Sequence, residues 1–490
     1  MKLYLNHTER YPVEQLQMQL FASEPSEFVT APFAEGENGA VSSLFTGKKY
    51  VTATAKITWN GKTGSAAKRL LREQADVRHT RRILQQSYYL AAMQVLDTVP
   101  PWGALSGVRP SKLSTKALLA GKTRRQAERE LEREFFVTPE RAKLCVDASE
   151  HTVEAMNLLA PRDLSVYIGI PFCPTRCAYC SFVSESVERF GEFLPPYLDC
   201  LLREVEYTGK LLRQSGWHVR TLYMGGGTPT TLSAEQMARL LEAVNTHFDL
   251  SRCLEFTVEG GRPDTLDAEK LRVIKAGGAT RISINPQTMS DTVLRAVGRR
   301  HSAASVVDVF HQAREAGFDD INMDLIAGLP ADTADGFAGS LRQVMALGPS
   351  NITVHTLALK KGADLFQRRV ALPSQADVAR MLEDAERALR ADGFAPYYLY
   401  RQKYMSGSFE NVGWSRPGGE CWYNVDIMSE LCSILSFGAG GSTKMVEPGT
   451  NHIERVFNLK YPKEYTERPE KIQQNQAAFA EFYQKYVPET

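Results

Sequence analysis

Long hydrophobic runs are missing from this sequence. Nowhere in its 490 residues do about 18 or more apolar residues follow one another, so no segment reads as a membrane-spanning helix. A dominant charge is missing as well. Basic residues number 58 and acidic residues 57, a formal net charge of +1, which gives no global field to hold nucleic acid or an anionic membrane. The basic stretch at residues 122–134 is interleaved with glutamates and reads as a solvated helix face. Cysteine is sparse, at positions 145, 173, 177, 180, 200, 253, 421 and 432. Three crowd into one loop and the rest scatter, which argues for a metal site and against a disulfide framework. Met1-Lys-Leu-Tyr-Leu-Asn-His has neither the apolar core nor the small-residue cleavage site of a signal peptide. The expectation is a cytoplasmic protein whose partners are neither nucleic acid nor a membrane.

What is present is the composition of a globular chain, 43% hydrophobic and 23% charged, too long for one ordinary domain. From Asp163 onward, short apolar runs alternate with amphipathic helical patterns, the signature of a parallel sheet built from βα units. Six strands are predicted, at residues 165–170, 221–224, 254–258, 281–284, 320–326 and 351–357. Helices are predicted at 197–213, 234–248, 302–316 and 374–392, with Ser233 and Ser302 as N-caps. Gly277, Gly278, Gly317 and Gly348 stand where a chain leaving a helix needs a left-handed residue. Six units are too few to close an eight-stranded barrel, so the fold class is α/β, a partial (β/α)6 barrel with its chemistry at the C-terminal strand ends. Residues 1–160 read as an N-terminal α+β domain, with a strand at 51–59 and helices at 66–97 and 122–158. Residues 161–375 form the barrel, and 376–490 an aromatic- and glycine-rich α+β extension.

The strand at 165–170 runs directly into Pro171-Phe-Cys173-Pro-Thr-Arg-Cys177-Ala-Tyr-Cys180. Thiolates at spacings of four and three can converge on one [4Fe–4S] cubane. No fourth local ligand follows, since Ser181 and Phe182 come next, and a cluster held by three cysteines keeps one iron open to an outside ligand. A zinc site completed by a distant histidine, or inert buried cysteines, are the alternatives.

The cysteine loop resembles the radical S-adenosylmethionine (SAM) motif. With Tyr167-x-Gly-Ile-Pro-Phe-Cys around it, residues 163–445 resemble the oxygen-independent coproporphyrinogen III dehydrogenase-like family, which includes haem chaperones. The N-terminal domain looks like that of the longer Gram-positive members. The resemblance implies two cofactors, a [4Fe–4S] cluster on Cys173, Cys177 and Cys180 and SAM, whose reductive cleavage gives a 5′-deoxyadenosyl radical. It also implies a tetrapyrrole substrate and an external one-electron donor such as flavodoxin or ferredoxin.

Further motifs match in order. Gly225, Gly226, Gly227 and Thr228, before Pro229, form a loop whose bare backbone lets a ligand approach; in the family it receives the SAM amino group. Glu259 is a carboxylate at the end of strand three. Gln287 and Arg299 follow at the family spacing, and an arginine fork suits the methionyl carboxylate. Asp324 is an acid in an apolar strand, costly unless paired, and Ala358 would flank the adenine. Tyr179 belongs to the implied SAM contacts. Tyr167 is assigned to both the cofactor and catalysis at a substrate propionate. His355 reads as an ordinary hydrogen-bonded strand residue. The stretch from Arg401 and Gln402 to Gly441 resembles the segment that covers the barrel mouth, suited to a flat anionic macrocycle. Two departures stand out. Decarboxylating members usually carry a cysteine where this chain has Phe182. The chaperone pattern His-Asn-x-x-Tyr-Trp is matched to Tyr423-Asn-Val-Asp-Ile-Met428, without its histidine. The reading favours decarboxylation of coproporphyrinogen III propionates to vinyl groups, with haem trafficking or another tetrapyrrole substrate as the alternative.

Overall fold

In the computed structural model of the protein, the described residues are 1–21, 24–32, 36–360, 362–368, 370–402, 408–450 and 452–487. The chain divides into two units, Met1–Ser149 with short pieces near Arg401 and Phe409, and the remainder from Glu150.

The first unit is built on a five-stranded sheet in the order Glu27–Val29, Lys2–Leu5, Gly39–Thr46, Tyr50–Trp59, Lys62–Leu71. Leu3, Val13, Leu16, Leu84 and Tyr88 form its core with the helices Arg10–Leu20 and Val77–Ala92. The helix expected at 66–97 is strand over its first residues, 66–71, and helix only over Val77–Ala92. Asn60 and Gly61 have φ of 48° and 78°, the double left-handed turn that returns one strand beside another, and Lys62–Leu71 pairs antiparallel along all of Tyr50–Trp59. The helix begins only at Val77, where the Asp76 side chain accepts the His79 N–H at 2.7 Å. The helix expected at 122–158 is two helices, Arg124–Phe135 and Pro139–Asn157, broken at the left-handed Phe136. Pro139 fits only the first turn of a helix.

The second unit contains the six expected strands in sequential parallel order: β1 (Asp163–Ile170), β2 (His218–Gly226), β3 (Glu255–Gly261), β4 (Arg281–Ile284), β5 (Asp320–Ala327) and β6 (Asn351–Thr356). Helices α1 (Leu194–Gln214), α2 (Ala234–His247) and α3 (Ala303–Glu315) lie among the crossovers. Ser233 and Ser302 each close a reciprocal capping box with the third residue of their helix. Gly278, Gly317 and Gly348 have positive φ. Gly277 does not; a Cβ there would sit 2.5 Å from Leu241 Cδ1, so close helix packing is its requirement.

Side chains alternate across each strand. Leu164, Val166, Ile168, Leu222, Met224, Phe256, Val258, Ile282, Ile321, Met323, Ile352 and Val354 fill the apolar face. The opposite face carries Ser165, Tyr167, Tyr223, Glu259, Ser283, Asn322, Asp324, Thr353 and His355. A hydrogen-bond network links part of it: Asn322 Nδ2 donates to Ser283 Oγ and Asp324 Oδ1, each at 2.8 Å, and Thr353 Oγ1 donates to Asn322 Oδ1 at 3.2 Å. This polar lining supplies the site.

The residues after 375 join the same sheet. β7 (Ala395–Arg401) and β8 (Glu410–Ser415) extend it beyond β6, with β8 antiparallel to β6. β9 (Ser433–Phe437) pairs parallel with β1 and leads to β10 (Ser442–Val446) and β11 (Ile453–Phe457). Between them, α4 (Trp422–Ser429) sits at the N-terminal strand ends, opposite the cysteines. Glu255, opening β3, accepts the Trp422 N–H at 2.7 Å and the Cys421 thiol at 3.0 Å. Asp426 pairs with Arg220 of β2 at 3.2 Å and accepts from Ser165 of β1 at 3.1 Å. This part of the aromatic stretch therefore closes the far end of the barrel; the mouth lies at the other end.

Candidate cofactor and active site

Cys173 lies just past the end of β1, in a two-residue strand, Phe172–Cys173, paired with Glu185–Ser186. The loop carrying Cys177 and Cys180 is anchored on three sides. Ala178 N–H donates to Val297 O at 3.0 Å, Leu365 N–H to Ala178 O at 2.9 Å, and Arg262 Nη1 to Thr175 Oγ1 at 2.8 Å. Arg262 is nearly fully buried and is itself fixed by both oxygens of Asp264, at 2.9 and 2.7 Å. It is a loop-holding residue that sequence reasoning missed, although its place directly after Gly260-Gly261 at the end of β3 marked it.

All three cysteines are free and partly buried. Burial raises the Cys173 thiol, opposed by hydrogen bonds from Thr228 and Ser184, and pushes Cys180 up to about 11. Without metal, Cys173 and Cys180 favour the thiol, so metal binding must release their protons. Among the described residues, no group of three or more His, Cys, Asp or Glu side chains closes around a single ion. Phe182 is 68% exposed on this loop.

The glycine loop lies against the cysteine strand. Thr228 N–H donates to Phe172 O at 2.7 Å, and Thr228 Oγ1 approaches Cys173 Sγ at 3.5 Å. A Cβ on Gly227 would fall 2.5 Å from Phe172 O, and one on Gly225 would fall 3.0 Å from Glu259 Oε2. Gly226 has a φ of 113°. The backbone here is close-fitting, with no room for a side chain at any of the three glycines.

Glu259 accepts the Tyr223 hydroxyl at 2.6 Å. Burial, reinforced by Asp324, pushes its carboxyl up to about 7. Asp324 moves the opposite way. Burial raises it, but hydrogen bonds and charge from His355, with Asn322 and Thr353, hold it below the ordinary carboxylate value. His355 Nε2 stands 3.5 Å from Asp324 Oδ2. Burial lowers this imidazole, but Asp324 and a hydrogen bond to Asn411 outweigh it and hold it above its usual value. Asn411 Oδ1 also accepts the Thr356 N–H at 2.9 Å, so β8 helps orient the end of β6.

Gln287 has a left-handed φ of 68°, and its backbone bridges β5 through Asp324 O and Ile326 N. Arg299 is buried, its Nη1 donating to Asn285 O at 2.6 Å while its Nε has no partner. Burial opposes its charge, but Tyr179 and Cys177 alongside hold it protonated. Tyr179 also packs against Val293, Val297, Ile326, Leu329 and Leu357. Ala358 follows the end of β6, half-buried. Tyr167 is stacked with Tyr223 and Tyr423 at 6.2 Å to each, and those two lie 4.6 Å apart.

Arg401 is otherwise occupied than the sequence suggested. Its guanidinium donates to the backbone carbonyls of Leu105 and Ser408 and lies over the Trp102 ring at 5.4 Å. Gln402 is described, while the adjoining Lys403 and Tyr404 lie outside the described residues.

These residues fit a cluster with SAM on it. The loop offers three thiols and no fourth, the glycine loop is bonded to the cysteine strand, and Arg299, beside Cys177, keeps a buried Nε–H without a partner. Six βα units with a three-cysteine loop on the first strand and a glycine loop on the second define a radical SAM protein, and residues 167–344 match the Radical SAM superfamily. Within it, the chain belongs to the oxygen-independent coproporphyrinogen III oxidase-like family. It is 39% identical over 372 residues to the oxygen-independent coproporphyrinogen-III oxidase-like protein HemZ of Bacillus subtilis, covering 75% of this chain and 74% of that protein. It is also 31% identical over 320 residues to the haem chaperone HemW of Mycobacterium tuberculosis, covering 63% and 76%. In fold it resembles the coproporphyrinogen III oxidase HemN of Escherichia coli, with a TM-score of 0.53 at 23% identity over 68% of this chain and 81% of that one. Its cofactors are a [4Fe–4S] cluster and SAM.

Proposed function

We propose that this chain is a radical SAM enzyme that oxidatively decarboxylates coproporphyrinogen III propionates to vinyl groups, forming protoporphyrinogen IX for haem biosynthesis. The observation that carries this reading is His355. It is the histidine facing the interior on β6, and its ring is held between the carboxylate of Asp324 and the amide of Asn411. An imidazole whose two ring nitrogens are engaged by Asp324 and Asn411 offers haem iron no free lone pair. The stretch matched to the chaperone pattern supplies no histidine: Tyr423 stands in its place, buried in the tyrosine stack.

Cys173, Cys177 and Cys180 would hold the cluster. Gly225, Gly226, Gly227 and Thr228 would receive the SAM amino group, Arg299 its carboxylate, and Glu259 and Asp324 its hydroxyls. Tyr179, Gln287 and Ala358 would frame it. When bound, the pair supplies one-electron chemistry that yields a hydrogen-abstracting carbon radical. The chain orients the substrate and excludes water, with Tyr167 at the propionate. The partners in this reading are the tetrapyrrole and a cytoplasmic one-electron donor of the flavodoxin or ferredoxin kind. Anaerobic incubation with SAM, reductant and coproporphyrinogen III tests it. Carbon dioxide release and a mass loss for two propionate-to-vinyl conversions are expected. SAM cleavage uncoupled from any substrate change, together with stoichiometric haem binding, would overturn it in favour of the chaperone.

A further inference from the structure

Thr175 and Arg176, between Cys173 and Cys177, form one wall of a surface cleft of about 870 Å³. The turn after the helix Asp291–Ala296 and the start of α3 form the other wall, with Arg295, Arg299, Arg300 and His301. The lining includes neither the three cysteines nor the glycine loop nor Glu259, so the cleft lies outside the cofactor site.

The cleft is cationic. Arg176, Arg295 and Arg300 are exposed. Among the described residues, Arg176 and Arg295 bond only to neutral oxygens, Gly362 O at 2.9 Å and Thr292 Oγ1 at 3.3 Å. Arg300 meets Glu188 at 2.6 Å, but the two side chains are 66% and 55% exposed, and a pair so exposed is weak and exchangeable. Both acids of the lining are engaged. Asp264 accepts two bonds from Arg262, and Asp291 accepts the Ala303 N–H at 2.8 Å.

His301 is an independent mark of a ligand. Its side chain is 1% exposed, and neither ring nitrogen has a hydrogen-bond partner. Asp264 Oδ1 stands 3.9 Å from Nδ1, too far for a hydrogen bond. Burial and the charge of Arg299 push this imidazole down to about 4. It is therefore neutral, with one N–H to give, and a buried donor left unpaired is costly. Arg299 also ties the cleft to the cysteine loop, since it lines the one and bonds to Cys177 in the other.

We propose that this cleft is the docking surface for an acidic protein that delivers single electrons to the cluster. Its carboxylates meet Arg176, Arg295 and Arg300, and one of them enters to take the His301 N–H. The donor loses one electron and the cluster gains it; no bond is made or broken in that step. The contact of Arg299 with Cys177 selects an electron donor over other acidic proteins. Redox encounters are small and are guided by charge, which this patch supplies on a chain whose formal net charge is only +1. The inference rests on the external donor of the proposed function and not on the tetrapyrrole.

The test uses the full chain, prepared anaerobically with its cluster, and an acidic flavodoxin as the probe. Binding of the oxidised flavodoxin, followed by calorimetry, needs no turnover. Arg295→Glu combined with Arg300→Glu should weaken it about tenfold at low ionic strength, through attractions lost and repulsions gained. Arg380→Glu combined with Arg387→Glu makes the same change in net charge at exposed positions of the helix Gln375–Ala391 and should leave binding unchanged. Wild-type affinity should fall as salt rises. His301→Leu should weaken binding roughly threefold to tenfold. 5′-Deoxyadenosine formation driven by reduced flavodoxin should fall in the Arg295 and Arg300 variant, while dithionite, too small to need a docking surface, drives variant and wild type equally. Salt-independent binding, equal loss in the cleft and control pairs, or parallel losses with both reductants would overturn the docking surface. So would failure of wild type to bind flavodoxin while dithionite supports SAM cleavage. Unchanged affinity in His301→Leu would overturn the buried contact. None of these readouts depends on carbon dioxide release, so the docking surface and the decarboxylase reading fail separately.

Discussion

Glu259→Gln isolates one buried charge. The wild-type carboxyl is held at about 7 against an ordinary 4.5 because burial disfavours its ionised form and Asp324 adds repulsion. A carboxyl raised in the folded state takes up protons more readily than the unfolded chain does. Stability from this group is therefore full below about pH 4.5 and is lost as pH rises through about 7. The difference between the two values corresponds to about 3 kcal/mol at pH 8. Glutamine keeps the shape and still accepts the Tyr223 hydroxyl, but it cannot ionise. Without cofactors, wild type and Glu259→Gln should unfold at similar temperatures at pH 5. At pH 8 the variant should be the more stable, by several degrees. His355 shifts stability in the same direction and Asp324 in the opposite one, but both remain in the two proteins and cancel in the comparison. Calorimetric melts from pH 4.5 to 8.5 read this directly. Parallel curves for the two proteins would refute the reasoning, because they would mean that Glu259 ionises in the barrel as easily as in water.

Alanine at Cys173, Cys177 or Cys180 should abolish both bound iron and 5′-deoxyadenosine formation, whereas alanine at Cys145, Cys200, Cys253, Cys421 or Cys432 should leave iron content intact; full iron in Cys177→Ala refutes the assignment. Arg299→Lys keeps charge but loses the planar fork. SAM affinity by equilibrium dialysis should fall about tenfold to a hundredfold, and unchanged affinity would show that Arg299 does not touch the cofactor. Gly227→Ala would press its Cβ on the Phe172 carbonyl, 2.5 Å away, and so displace the Cys173 strand. Iron retention after gel filtration should drop while the far-ultraviolet spectrum stays native.

The six barrel strands were legible because each is a short apolar run followed by an amphipathic helix, and the serine caps were legible because capping chemistry is local. The failures are also local in origin. Residues 66–71 carry enough helix-compatible residues to pass as helix, and the deciding signal was the Asn60-Gly61 hairpin turn. Phe136 adopts a left-handed φ that its residue type does not announce, and Pro139 was the available clue. Arg401 looked free in the sequence because the carbonyls it binds, at Leu105 and Ser408, include one from almost 300 positions away.

The sequence by itself determined the cluster loop, the glycine loop and the strand-end acids, since each depends on spacing within one βα unit and such units dictate which end of the sheet their loops occupy. Only the tertiary structure decided the electrostatics. Glu259, Asp324 and His355 come from three strands and lie 65 and 31 residues apart in order along the chain, and their proton affinities are set by burial and by one another. It also decided that α4 closes the far end of the barrel, because that depends on Glu255, Arg220 and Ser165 meeting residues 421–426 across the fold. Charge, burial and partner are properties of a place in space, and no spacing along the chain encodes them.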